Sequence, residues 1–135
     1  MKTLMTKILV VEDEPAIREL LVSFFKLCGW EANSAGNAFE ALGILKDDRH
    51  DVVITDGIMP QVSGPKFTKI IKKKYPETYV IALTGSNLRE EFNAAGANVY
   101  LEKPVDLKRL QIAIEEYFKG NPGGKSDYRC MGTSK

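Results

Sequence analysis

Five residues with reactive side chains stand at or just past the ends of apolar runs: Glu12 and Asp13 after "KILVV", Asp56 after "VVIT", Thr84 at the end of "YVIALT", and Lys103 just past "VYLE". A carboxylate at the end of a core strand costs free energy unless something pairs with it. Three carboxylates close together also repel, and at least one is pushed toward protonation. A hard divalent cation removes both costs. Magnesium takes oxygen ligands, keeps several waters and binds through one or two carboxylates. Asp13 and Asp56 are the expected direct ligands of Mg2+, with Mn2+ as an alternative, and Glu12 is expected to hold a coordinated water.

A carboxylate beside magnesium is also a nucleophile for phosphoryl transfer, giving an aspartyl phosphate. The transferred group spreads its charge over three equatorial oxygens. One can bind the metal, one the Lys103 ammonium, and one the Thr84 hydroxyl with backbone N–H groups. Gly57 and Gly85 each follow a site residue, and a glycine lets backbone come close to the phosphoryl group.

These side chains meet only if the strands that carry them lie side by side. "KILVV" (Lys7–Val11), "WEANSA" (Trp30–Ala35), "DVVIT" (Asp51–Thr55), "YVIALT" (Tyr79–Thr84) and "VYLE" (Val99–Glu102) read as five strands, the second the weakest. Amphipathic runs separate them. Pro15 fits a first helical turn, Ile17, Leu20, Leu21, Phe24 and Cys28 fall at helical spacing, and Gly29 ends that helix. The next face comprises Ala38, Ala41, Leu42 and Leu45. Gly64 and Pro65 open a third helix with Phe67, Ile70 and Ile71 inward and Lys72, Lys73 and Lys74 toward solvent. Leu88, Phe92 and Ala95 mark a fourth that stops at Gly96. Leu107, Leu110, Ile114 and Tyr117 or Phe118 mark a fifth. Alternating βα units with mostly continuous apolar strands argue for an α/β fold with a parallel sheet covered on both faces. Ligands bind such sheets at the carboxyl ends of the strands, where the five residues stand.

Composition excludes other classes. The chain has 135 residues, 44% hydrophobic and 27% charged, which fits one soluble domain of ordinary size. A net charge of +1 gives no electrostatic case for nucleic acid or membrane surfaces as the main partner. No apolar run is long enough to span a bilayer, and the N-terminus is not a secretory signal, so a cytoplasmic protein is expected. Cys28 reads as a small core residue and Cys130 as an inert tail residue, with no zinc-binding cluster. His50, the one histidine, reads as a solvated loop residue.

The spaced motifs "VVEDE", "ITDGIMP", "ALTGS" and "GANVYLEKP" closely resemble response-regulator receiver domains, the targets of histidine kinases in two-component signalling. The resemblance covers residues 5–120, leaving 121–135 as a flexible tail or truncated linker. It implies a flavodoxin-like (βα)5 fold with strand order 2-1-3-4-5, Asp56 as phosphoacceptor, Glu12 and Asp13 as the acidic pair, and the Ile58 carbonyl completing the magnesium site. It also implies a cis Lys103–Pro104 bond, and a switch in which Thr84 turns to the phosphoryl group and Tyr100 moves inward. The fourth helix, fifth strand and fifth helix would then change for a downstream protein partner. The phosphodonor would be a sensor histidine kinase or phosphotransfer protein. Such a chain is a signalling switch rather than an enzyme, a monomer or weak dimer, and its tail is too short for a DNA-binding domain. Gly57 departs from the bulky apolar residue frequent at its position and is expected to loosen the acceptor loop.

Other readings stand beside these. Glu12 and Asp13 could serve only a helix dipole, Asp56 a turn, Thr84-Gly85-Ser86 a helix cap, and Tyr100 a fixed core ring. A phosphatase of the haloacid dehalogenase class also uses a strand-end aspartate, but needs a second aspartate where Ile58 stands. Nucleotide-binding glycine motifs are absent. The stronger rival is a receiver-like interaction module that works without phosphorylation. It would be expected to have lost Asp56, Lys103 or one of the acidic pair, and all are present.

Overall fold

The computed structural model describes residues 6–119. Strands β1 (Lys7–Val11), β2 (Glu31–Ala35), β3 (Val52–Thr55), β4 (Tyr79–Thr84) and β5 (Val99–Glu102) alternate with helices α1 (Pro15–Leu27), α2 (Ala38–Asp47), α3 (Gly64–Lys74), α4 (Arg89–Ala95) and α5 (Leu107–Lys119). The strands form one sheet in the order β2-β1-β3-β4-β5. All four pairings are parallel, with Val11 opposite both Ala35 and Thr55, and Thr84 opposite Glu102.

The period of two along β1 sends its side chains to opposite faces. Ile8 and Val10 pack with Leu21 and Phe25 of α1 and with Leu110 and Ile114 of α5. Leu9 and Val11 pack with Ala41 and Leu45 of α2 and with Phe67 and Ile71 of α3. Each fully buried Leu, Ile or Phe contributes roughly 1.5–3 kcal/mol, so the sheet is clamped between two apolar layers. β2 is weak in sequence because it is an edge strand, with only Ala32 and Ala35 buried.

Local chemistry sets the helix ends. Pro15 sits in the first turn of α1, and Gly29 beyond its end adopts φ +90°. The Asn37 side chain accepts from Glu40 N at 2.8 Å, while Glu40 Oε1 accepts from Gly36 N at 2.7 Å, which satisfies two free donors at the start of α2. Gly96, at φ +99°, closes α4 in the left-handed region.

Two sequence expectations fail because tertiary partners lie out of view of the local sequence. His50 is 2% exposed rather than solvated. Its Nδ1 lies 2.8 Å from the Asp48 carbonyl and its Nε2 lies 3.0 Å from Asn33 Nδ2. Nδ1 therefore donates to the carbonyl, and Nε2 accepts from the Asn33 amide. Lys72 does not share the solvated face of Lys73 and Lys74. Its ammonium donates to Thr78 O at 2.7 Å and to Asn98 Oδ1 at 3.1 Å, tying α3 to the edges of β4 and β5. Burial lowers the pKa of that ammonium. Cys28 is buried in the α1–α5 layer as expected. The expectations for the 121–135 tail and Cys130 lie outside the described residues. Among the described residues no helix is long and apolar enough to cross a membrane.

Candidate functional site

The parallel ladder runs one residue past β1, β3 and β5. Glu12 N donates to Ala35 O, Asp56 N to Val11 O and Lys103 N to Thr84 O, each at 3.0–3.1 Å. Backbone bonding therefore aligns the strand-end side chains at one edge of the sheet. The register, not the side chains themselves, brings Glu12, Asp13, Asp56, Thr84 and Lys103 to one place.

Carboxylate oxygens of Glu12, Asp13 and Asp56 all lie within 4.8 Å of one another. Glu12 is 3% exposed and Asp56 8%, while Asp13 faces solvent. The Lys103 ammonium stands 3.1 Å from Glu12 Oε1 and 3.4 Å from Asp56 Oδ1. Backbone donors complete the set: Glu14 N to Glu12 Oε2 at 3.1 Å and Gly57 N to Asp56 Oδ1 at 2.7 Å. Burial pushes the Glu12 carboxyl above its ordinary pKa, and the Glu14 N–H and Lys103 offset this only in part. For Lys103 burial alone would lower the pKa. Its hydrogen bond to Glu12 and the two carboxylate charges outweigh burial and raise it. The pocket thus has a surplus of negative charge that a single ammonium does not balance, on an all-oxygen donor set of the kind hard divalent cations take.

The loop after Asp56 is tightly built. Gly64 N, at the start of α3, donates to Gly57 O at 2.8 Å. A Cβ on Gly64 would collide with the Asp56 carbonyl and come within 2.7 Å of the Phe92 ring. Gln61 holds a left-handed φ of +71°, a conformation that costs a non-glycine residue free energy. The Ile58 side chain is 62% exposed. The face of Gly57 is covered by Thr84 and Leu88.

Thr84 Oγ1 accepts from Ser86 N at 3.0 Å. The Tyr100 hydroxyl donates to Ser86 O at 2.9 Å and accepts from Leu88 N at 3.1 Å. Arg89 stacks 4.5 Å from the Tyr100 ring centroid, and Phe92 lies 6.0 Å away on α4. The Lys103–Pro104 peptide is cis.

Some participants escaped sequence reading. Arg18 Nη1 donates to Glu12 O at 2.7 Å and so holds the backbone between the two acids. Its position six residues on, in the first turns of α1, was the available signal. The turn expected at Thr84-Gly85-Ser86 is present, with Ser86 N donating to Thr84 Oγ1, whereas nothing local marks the contacts of Leu88 with Gly57 and of Arg89 with Tyr100.

The family model of the response regulator receiver domain matches residues 8–115. The chain belongs to this family. Curated relatives include the response regulator protein PilR of Pseudomonas aeruginosa, 38% identical over 95% of this chain and 30% of that protein. The DNA-binding transcriptional regulator NtrC of Azospirillum brasilense is 36% identical over 84% of this chain and 24% of that protein. This receiver therefore spans a quarter to a third of those two relatives. Sporulation initiation phosphotransferase F of Bacillus subtilis is 31% identical, with 82% of this chain and 92% of that protein covered. Among solved structures, a receiver domain protein from Clostridium thermocellum aligns at TM-score 0.81 and 36% identity, covering 87% of this chain and 98% of that one. The response regulator protein TrrA of Thermotoga maritima, in complex with Mg(2+)-BeF, aligns at TM-score 0.78 and 34% identity over 84% of this chain and 99% of that one. Receivers of this kind are signalling switches of two-component systems and interact with histidine kinases. The expected flavodoxin-like fold and strand order agree with the sheet described above.

Proposed function

We propose that this receiver accepts a phosphoryl group on Asp56 and thereby switches its α4–β5–α5 face for a downstream protein. The observation that carries this reading is the placement of Asp56. Its Oδ1 lies 3.4 Å from the Lys103 ammonium and its carboxylate lies within 4.8 Å of those of Glu12 and Asp13. Asp13, Asp56 and the Ile58 carbonyl would hold Mg2+ or Mn2+, with Glu12 supporting a coordinated water. The bound cation would neutralise charge on the incoming phosphoryl oxygens.

In the transfer an Asp56 carboxylate oxygen forms a bond to phosphorus as the bond from phosphorus to the donor breaks. With a phosphohistidine donor the imidazole nitrogen leaves with the electron pair. Lys103 and the Thr84 hydroxyl hold two of the phosphoryl oxygens, and the buried setting of Asp56 strengthens each contact. Thr84 Oγ1 accepts from Ser86 N and keeps its O–H free to donate to the phosphoryl group, so a shift of that hydroxyl pulls on Ser86, which also carries Tyr100. One new charged group then biases a two-state equilibrium.

The donor is a sensor histidine kinase or a phosphotransfer protein in the cytoplasm. Residues 5–120 act as the receiver and 121–135 as a tail or linker, with the chain a monomer or weak dimer. A receiver-like module that binds partners without phosphorylation is the second reading. The intact pocket disfavours it.

Intact-mass spectra after incubation with magnesium and acetyl phosphate test the proposal. A single phosphoryl adduct is expected on the wild type, lost in Asp56→Asn and blocked by chelator. An adduct that persists in Asp56→Asn would place the acceptor elsewhere. No adduct on either chain would favour the phosphorylation-independent module.

A further inference from the structure

The seat beside Gly57 has an unusual occupant. A Cβ built on Gly57 would stand 2.8 Å from Leu88 Cδ1 and 2.9 Å from Thr84 Cβ, distances that real Cβ atoms do not show. The space that a side chain at position 57 would fill is therefore taken by two residues from the end of β4 and the start of α4. Leu88 is the N-terminal boundary residue of α4, where its carbonyl accepts from Phe92 N at 2.9 Å. Its N–H is shared between Ser86 O at 3.0 Å and the Tyr100 hydroxyl at 3.1 Å. One residue thus touches the acceptor loop with its side chain, Tyr100 with its N–H and α4 with its carbonyl.

We infer that Leu88 is a positioning residue that couples the loop after Asp56 directly to Tyr100, in parallel with the route through Thr84 and Ser86. This rests on the reading of Asp56 as phosphoacceptor. Close-packed interiors transmit displacement because no void absorbs it. A shift of the Gly57 backbone presses on the Leu88 methyls, and the rigid turn carries that shift to the N–H that Tyr100 accepts. Glycine at position 57 is what permits the contact, since any side chain there would push Leu88 away. The missing side chain shortens the path between the acceptor and the aromatic switch.

The test compares Leu88→Ala, Leu88→Met and Gly57→Ala with the wild type in the full chain. Intact mass reads phosphorylation by acetyl phosphate. Ring signals of 13C-labelled tyrosine read the surroundings of Tyr100, with Tyr100→Phe assigning the peak. Leu88→Ala keeps the N–H, and its Tyr100 response is read on the phosphorylated fraction, whatever the extent of phosphorylation. Its Tyr100 response to phosphorylation is expected to fall by about half or more, because one of two routes is cut. Leu88→Met, which restores the reach, is expected to recover it. Gly57→Ala is expected to move the Tyr100 signal before any phosphodonor is added. A full Tyr100 response in phosphorylated Leu88→Ala would overturn the inference. If the wild type takes no phosphoryl group, the reading of Asp56 fails, and the resting spectra decide the coupling alone. An unmoved Tyr100 signal in Gly57→Ala would then overturn it, as it would if Leu88→Ala failed to fold.

Discussion

The hydroxyls of Thr84 and Tyr100 are bound to opposite ends of one residue. Ser86 donates its N–H to Thr84 Oγ1 at 3.0 Å, and its carbonyl accepts from Tyr100 at 2.9 Å. A Thr84 hydroxyl drawn toward an incoming anion pulls on the first bond, and the residue it pulls is anchored by the second. Arg89 lies over the same ring. Tyr100 is therefore held by three groups: the Ser86 carbonyl, Leu88 N and the Arg89 guanidinium.

Tyr100→Phe removes one hydroxyl that both donates and accepts. It is expected to cost about 1 kcal/mol, the usual net worth of such a bond, read as a lower urea midpoint. Phosphorylation by acetyl phosphate should proceed to the same extent. A large loss of phosphorylation would mean that Tyr100 supports the pocket itself.

Asp13→Asn removes the exposed carboxylate of the acidic group and leaves the buried pair on Lys103 intact. Magnesium affinity measured by calorimetry is expected to fall at least ~10-fold, since a direct ligand should matter no less than the outer-shell partners whose loss has that effect. The thermal midpoint without metal should hold or rise, because one like charge has gone. Unchanged affinity would remove Asp13 from the ligand set.

His50→Ala leaves the Asp48 carbonyl and the Asn33 amide without their buried partner. A loss of about 2–3 kcal/mol is expected from the stranded groups and the cavity together, measured by chemical denaturation. A change of the size seen at exposed positions would mean that water replaces the ring without cost.

Asp48→Asn tests a pH window. The Lys7 ammonium pairs with Asp48 Oδ1. The hydrogen bond to Lys7, outweighing burial, holds the Asp48 carboxyl below its ordinary pKa, and the same bond raises Lys7. A lowered carboxylate contributes stability that is full above its unfolded pKa and is lost as pH falls through its folded value. A raised lysine contributes below its unfolded pKa and loses that contribution as pH rises through its folded value. Both groups are part-exposed, so solvent screening limits the pair to about 0.5 kcal/mol at neutral pH. The wild type and Asp48→Asn should converge in stability in acid, and at neutral pH in high salt. A constant gap across pH would assign the difference to something other than charge.

The strand-end residues were legible because each followed a short run of β-formers, and a parallel sheet gathers such ends by register alone. β2 was weaker in the sequence because "EANSA" offers only two buried alanines at an edge. His50 and Lys72 were misread for one reason: each sits in a polar local sequence, and one partner of each, Asn33 for His50 and Asn98 for Lys72, lies far along the chain. At Gly57 the sequence indicates the loss of a side chain but not that Thr84 and Leu88 fill the space. Arg18, Ser86 and Leu88 act largely through backbone atoms, their own or a neighbour's, which one-letter patterns do not encode.

β3, which carries Asp56, is buried along its whole length at the middle of the sheet, whereas no residue of β5, which carries Tyr100, is fully buried. Amides that open only with the whole fold are drawn from such central strands, while edge elements open at much lower cost. The molecule is stiff where charge would arrive and soft where a partner would read it. An event on β3 has little freedom to dissipate locally, and the compliance of the outermost strand decides how far it is felt. Amide exchange should therefore run slowest through Val52–Thr55 and fastest through Val99–Glu102, a gradient of yielding laid across the sheet from acceptor to rim.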